Sequence, residues 1–451
     1  MFEKPQFSCE HRLGLVVYGG VSLAIYMNGI CQEFYNAVRG RGIYKLVKAL
    51  TDADIVVDIV SGTSDGGING VLLSYALANT NEAKQNNEAE QNNGQSSKQS
   101  EIKFEKFSEV WKNSGDIQKL LFGKEYDKVE KASFLNGTGY YKPQVKQALK
   151  DRWDDLNKSS PENNWFSEFG ELDLFITGTD LLGRIYQIFD NTGSVIDVKD
   201  HRATFHLKYR DYGDNDFKRD DATCEALAKL CQITSCFPVA FPPVTVKLDS
   251  QNDVDEQLVK WGSLKKNRLA PSQMPESDGL RSLRNPRVQE IDDDPGKGYR
   301  LHFVDGGVLA NRPFTPTIKA IYHRTAERPV FRKLFYVDPS PDCFRNSPNY
   351  QEMLKPNIAQ VALSSLIGMP GYQSINNDLE LIKEHNEKVR RYKFLWADIE
   401  NLLDQEVTDA ENKDIYDQQK NVYLRTRLTR AYLQTPKNPL ERGRSSTKSH
   451  F

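Results

Sequence analysis

The chain has 451 residues, 38% apolar and 27% charged, and a formal net charge of −2. With a sequence pI near 6.4 and a mean hydropathy of −0.62, it has no global field to draw it to nucleic acid or anionic lipid, so membrane contact would need a local surface. Its length predicts one large domain plus an appendage. The six cysteines (Cys9, Cys31, Cys224, Cys231, Cys236 and Cys343) form no CxxC pair and no framework spacing, which predicts reduced, mostly buried thiols in a cytoplasmic protein.

From Leu13 to Gln32 no residue is charged, a length that could cross a bilayer. Gly19, Gly20, Ser22 and Asn28 interrupt it, and the stretch reads as a strand over 13–18, a glycine loop and a helix over about 22–38. A second apolar strand over 54–60 runs into a turn and a helix over 67–78. Strand–helix–strand–helix order with apolar strands predicts a three-layered, mostly parallel α/β sheet, with its site beyond the carboxyl ends of the strands. Residues 79–101 hold almost no apolar side chain and predict a mobile surface loop. Helices are expected over 104–121 and 143–157, and a strand over 172–180 with residues 184–189 pairing beside it. A helix follows over 222–235, with Ala222, Ala226, Leu227, Leu230 and Ile233 on one face. A polar insertion over 249–299 precedes a strand over 301–305, and 334–339 reads as a final core strand. Beyond 350, Ile382, Val389, Trp396 and Leu403 recur every seven residues with Tyr392 and Ile399 between them, a helical seam expected to dock on the α/β domain. The predicted organisation is an α/β domain over 1–345, a helical extension over 346–434 and a disordered basic tail over 435–451.

Three motifs carry chemistry. Gly62-Thr63-Ser64-Asp65-Gly66-Gly67 lies between a strand and a helix, where a GxSxG turn exposes a serine hydroxyl. Gly19-Gly20, with Val21 after them, lies where backbone N–H groups at a helix start suit an oxyanion. Asp305 ends a strand on the Gly306-Gly307 turn. Together they supply a nucleophile, a donor loop and a base. No metal-spaced His/Cys cluster is present among the seven histidines, and neither metal nor organic cofactor is expected.

This set, in this order, resembles the patatin-like phospholipases, over roughly residues 13–340. The segment Thr234 to Pro243 looks like that family's Pro-rich stretch. Val17 to Gly29, together with Ser374 to Val389, looks closer to a bacterial subgroup of long patatin-related proteins, so the chain is expected to be a truncated or shortened member. The resemblance implies a lipid acyl hydrolase of phospholipase A or lysophospholipase type with a Ser64–Asp305 dyad. It also implies membrane lipid as substrate, peripheral contact at the inner membrane face, and no nucleic-acid partner. Two departures stand out: Val21 and Ser22 replace the usual third glycine and basic residue, and Asp65 replaces a small apolar residue. A carboxylate beside the nucleophile opposes charge on the oxyanion.

Each piece has a plainer role when taken alone. Ser64 can cap a helix, Gly19-Gly20 can be a tight turn, and Asp305 before two glycines is ordinary turn chemistry. His302 could complete a Ser-His-Asp triad in place of the dyad. Two other functions stay open: a catalytically impaired lipid-binding or regulatory protein, for which Asp65 speaks, and an acyltransferase using the same dyad.

Overall fold

A computed structural model describes residues 7–20, 24–91, 104, 107, 111, 135–154, 170–189, 194–238, 240–248, 252–265, 300–326, 328–338 and 375–406. By contact density the chain divides into two compact units, 1–185 with 199–373, and 186–198 with 374–451.

The described residues form a seven-stranded sheet. Its strands are β1 (Cys9–Val17), β2 (Ala53–Gly62), β3 (Glu171–Phe189), β4 (Val195–Arg210), β5 (Val244–Lys247), β6 (Arg300–Asp305) and β7 (Val330–Val337). They lie in the order β5-β6-β3-β2-β1-β7, with β4 paired to β3. β1 is parallel to β2 and β7, and β2 to β3. Every residue of β2 is buried, as expected of a central strand covered on both faces. The helices are α1 (Ala24–Arg39), α2 (Ile43–Thr51), α3 (Ser64–Gln91), α4 (Lys142–Asp154), α5 (Asp221–Ser235), α6 (Asp253–Trp261), α7 (Gly307–Ala310) and α8 (Phe314–Tyr322), with a π-helical turn at Gly137–Tyr141. The uncharged stretch thus takes in the end of β1 and the start of α1, and no helix among the described residues is long and apolar enough to cross a membrane.

The α/β sheet expected from the sequence is present, and several local readings change. β5 and β6 run antiparallel to their neighbours. β3 does not stop at the sheet's carboxyl edge: Gly62 of β2 pairs with Ile176, and β3 continues to Phe189. β6 descends alongside that overhang, from Phe303 opposite Asp180 to Asp305 opposite Gly178. Asp305 therefore arrives at the level of Ser64 from above.

Residues expected as loop over 79–101 continue α3 through Gln91. Ala, Glu, Gln and Lys are good helix formers whether or not they are buried, so polarity excluded a core role and not a helix. The polar stretch over 249–299 contains α6, capped by the Asn252 side chain accepting from Val254 N–H; residues 266–299 lie outside the described residues. β7 is an edge strand with Phe331, Phe335 and Tyr336 exposed, not a core strand. β4 was not expected, although buried Phe205, Leu207 and Tyr209 alternate with polar residues as a half-buried strand requires. α2 was also missed. Its Lys48 is buried, donating to Val38 O at 2.8 Å and Asp54 Oδ1 at 2.9 Å, while Ile43, Leu46 and Leu50 face solvent.

Ion pairs fasten the parallel strands at mid-sheet. The Asp58 carboxylate of β2 accepts from both terminal nitrogens of Arg332 on β7, and Asp173 of β3 pairs with Arg210 and with Arg324 beyond α8. The described cysteines are free thiols, and four of the five are buried.

In the second unit, α9 (Asn376–Glu406) is one long helix. Of the predicted seam, Ile382 and Trp396 are half-buried and Val389 is exposed, and the side chain of Leu403 lies outside the described residues. The predicted tail over 435–451 also lies outside them.

Candidate active site

β2 ends at Gly62, and α3 begins two residues later at Ser64. Reversal in so few residues puts Ser64 at φ +53°, a left-handed conformation that a non-glycine residue adopts only when its surroundings enforce it. The turn allows no side chain at its flanks. A Cβ on Gly62 would lie 2.7 Å from Gly66 O, and one on Gly66 would strike the carbonyl oxygens of Val17 and Tyr18. Thr63 is fully buried, its hydroxyl 2.6 Å from Thr177 Oγ1 and donating to Ala310 O at 2.8 Å. The serine turn is thereby tied to β3 and to the helix after Asp305.

Ser64 Oγ donates to Asp305 Oδ2 at 2.8 Å across 241 residues of chain. The other carboxylate oxygen accepts the Gly307 N–H at 2.6 Å, which the turn after β6 presents. Thr179 Oγ1 donates to Asp305 O at 2.9 Å, and the Asp305 N–H donates to Cys236 O at 3.0 Å. Asp305 is 4% exposed. Burial pushes its carboxyl up to about 7, although the Gly307 N–H and the Ser64 hydroxyl pull the other way.

His302 takes no part in this contact. It precedes Asp305 by an odd number of positions, so its side chain leaves the opposite face of β6, where Nδ1 lies 3.0 Å from Thr245 Oγ1. The imidazole is accounted for away from the serine, and the carboxylate meets the hydroxyl directly.

The glycine loop lies beside the pair. Its Gly19 packs so closely on Asn311 Oδ1 and on Ser64 Cβ that a side chain could not be added. The Gly19 N–H points to Asn311 O at the long distance of 3.5 Å. Gly20, partly exposed, has no hydrogen-bond partner for its N–H among the described residues. Val21 lies outside the described residues.

Asp65 is partly buried, and its carboxyl makes no hydrogen bond among the described residues. Burial, and then the neighbouring Asp305 charge, raise it to about 7. Beyond them, Tyr141 of the π-helical turn receives a hydrogen bond from Ser235 Oγ at 3.2 Å and packs against Phe241 at a 6.1 Å ring separation. Among the described residues no group of three or more His, Cys, Asp or Glu could hold a metal ion.

Sequence reasoning missed Thr177, Thr179, Thr234 and Asn311, which position the turns around the pair. Isolated threonines in a strand or helix carry no local signal. Thr177 and Thr179 lie in the strand expected over 172–180, and Thr234 opens the Pro-rich segment, but none is marked there as a site residue.

The described residues thus form an α/β sheet with flanking helices that carries a strained serine turn hydrogen-bonded to a buried carboxylate. The chain matches the model of the patatin-like phospholipase family over residues 15–318 and belongs to that family, which groups it at a coarse level with lipid hydrolases. A Mycobacterium tuberculosis protein named as an uncharacterized membrane protein is 27% identical over 425 residues, covering 86% of this chain and 33% of its own length. The chain thus spans about a third of that relative. No solved structure matches.

Proposed function

We propose that the chain hydrolyses carboxylic esters of membrane lipids, as a phospholipase A or lysophospholipase does, with Ser64 as nucleophile and Asp305 as its base. The observation that carries this reading is the direct hydrogen bond from Ser64 Oγ to Asp305 Oδ2. A serine hydroxyl is a poor nucleophile until a base takes its proton. Asp305 Oδ2 receives that proton as Oγ bonds to the ester carbonyl carbon, and the carbonyl electron pair moves onto oxygen. The Gly20 N–H, which has no hydrogen-bond partner among the described residues, receives the oxyanion, joined by the Gly19 N–H once that gives up its long contact to Asn311 O; Val21, the third donor expected, lies outside the described residues. Asp305 then protonates the departing alcohol. Water, deprotonated by the same carboxylate, releases the fatty acid and restores Ser64. A carboxyl pushed up to about 7 is a stronger base than an ordinary aspartate and still ionised in part near neutrality.

The lipid part of the proposal rests on family membership and on exposed apolar side chains beside both halves of the site. Ile25 and Tyr26, just after the glycine loop, are 55% and 54% exposed, and Leu309, just after the Asp305 turn, is 40% exposed. Such a rim suits peripheral contact with a bilayer.

Asp65 favours a second reading, a lipid-binding or regulatory protein with impaired catalysis, because its charge opposes the oxyanion. A fluorophosphonate probe decides between them. Labelling of the wild type, absent in Ser64→Ala and Asp305→Ala and retained in His302→Ala, together with fatty-acid release from phospholipid vesicles, supports the hydrolase. No labelling of the wild type at any pH between 6 and 9 would favour the second reading, and loss in His302→Ala alone would overturn the direct dyad.

A further inference from the structure

Ser64 and Asp305 meet although the strands that carry them are not neighbours. β3 lies between β2 and β6, so two strand spacings, about 10 Å, separate their backbones. The sheet ladder alone does not set the 2.8 Å contact.

The end of α5 touches both partners. Thr234 is fully buried, and its Oγ1 accepts the Ser64 N–H at 2.9 Å. Its carbonyl accepts the Gly306 N–H at 3.2 Å, and two residues on, Cys236 O accepts the Asp305 N–H. Carbonyls in the last turn of a helix have no intrahelical partner, so any sequence could supply the main-chain half of this arrangement. The other half needs a hydroxyl. Ser64 is held at φ +53°, and Thr234 Oγ1 is the acceptor for its N–H in that conformation. Gly67 closes the arrangement, since a Cβ there would come within 2.9 Å of Thr234 Cγ2.

The geometry points to Thr234 as the positioning residue that sets the nucleophile–base distance, its hydroxyl holding the serine turn while its carbonyl holds the aspartate turn. It touches neither substrate nor reacting atoms and acts through the Ser64 N–H. Loss of the hydroxyl frees the serine turn and leaves the aspartate turn in place, so the Ser64–Asp305 bond lengthens. That bond lowers the Asp305 carboxyl, so its weakening moves the carboxyl upward.

The kinetic part of the test rests on the hydrolase proposal, and a second measurement does not. Both use the full chain. Thr234→Val keeps the methyl against Gly67 and removes the acceptor, whereas Thr234→Ser keeps the acceptor. With a p-nitrophenyl ester, Thr234→Val is expected to lower kcat about 10- to 100-fold, the scale of one lost buried hydrogen bond, at nearly unchanged KM. The acidic limb of its pH–rate profile moves to higher pH, and Thr234→Ser recovers most of the loss. Amide hydrogen exchange at Ser64 is expected to be slow in the wild type and Thr234→Ser and fast in Thr234→Val, whether or not the ester is cleaved. A wild type that cleaves no ester would sink the hydrolase proposal, leaving the exchange result to decide for or against Thr234. Equal Ser64 protection in Thr234→Val, equal impairment of the Val and Ser variants, or an unmoved kcat and pH limb would overturn the assignment.

Discussion

Replacing Asp305 by Asn is expected to stabilise the fold at pH 8 relative to pH 5 while abolishing probe labelling. In the folded chain burial holds this carboxyl at about 7, against 3.8 for an unperturbed aspartate. A raised folded pKa contributes stability that is fully present below 3.8 and is lost as pH rises through 7. Roughly three units at about 1.4 kcal/mol each amount to ~4 kcal/mol over the whole range, of which about 2–3 kcal/mol falls between pH 5 and pH 8. Asparagine does not ionise, so the variant lacks this slope. Its altered hydrogen bonds to Gly307 and Ser64 act at both pH values and cancel in the comparison. The assay is urea unfolding followed by circular dichroism at pH 5 and pH 8, with and without Asp65→Asn to separate the neighbour's titration. The Asn–Asp difference should shift by about 2–3 kcal/mol in favour of Asn at pH 8. A shift below ~0.5 kcal/mol would refute a carboxyl raised by burial. Such a gain fits the general trade of stability for function at active sites.

The kcat/KM of the wild type should rise with pH through about 7, where Asp305 ionises. In Asp65→Asn the rate at pH 8 should rise about fivefold or more, the worth of ~1 kcal/mol of charge repulsion removed from the oxyanion; an unchanged rate would show Asp65 to be harmless. Among glycines, Gly66→Ala should cost ~3 kcal/mol or more or prevent folding, because its Cβ meets the carbonyl oxygens of Val17 and Tyr18. By contrast, Gly29→Ala in α1, where a Cβ meets nothing within 4 Å, should stabilise by about 0.5–1 kcal/mol. Thermal melts compare the two, and similar melting temperatures would contradict the close approach at Gly66.

Much of this protein was legible in its residues alone. Apolar runs that stop at glycines located β1, β2 and both turns, and helical spacing located α5 almost to the residue. These features are local: burial on both faces, a reversal with no room for a Cβ, and one apolar stripe each leave their mark within a few positions. Composition misleads over 79–91, where polarity suggests a loop although α3 continues through Gln91. The direction of β6, its place beyond β3, and the meeting of Ser64 with Asp305 were decided only by tertiary structure. A strand's partner is a choice made between distant segments, and the same alternating residues serve parallel and antiparallel neighbours alike. Thr234 shows the limit: only where α5 ends beside two turns does its hydroxyl come to accept the Ser64 N–H.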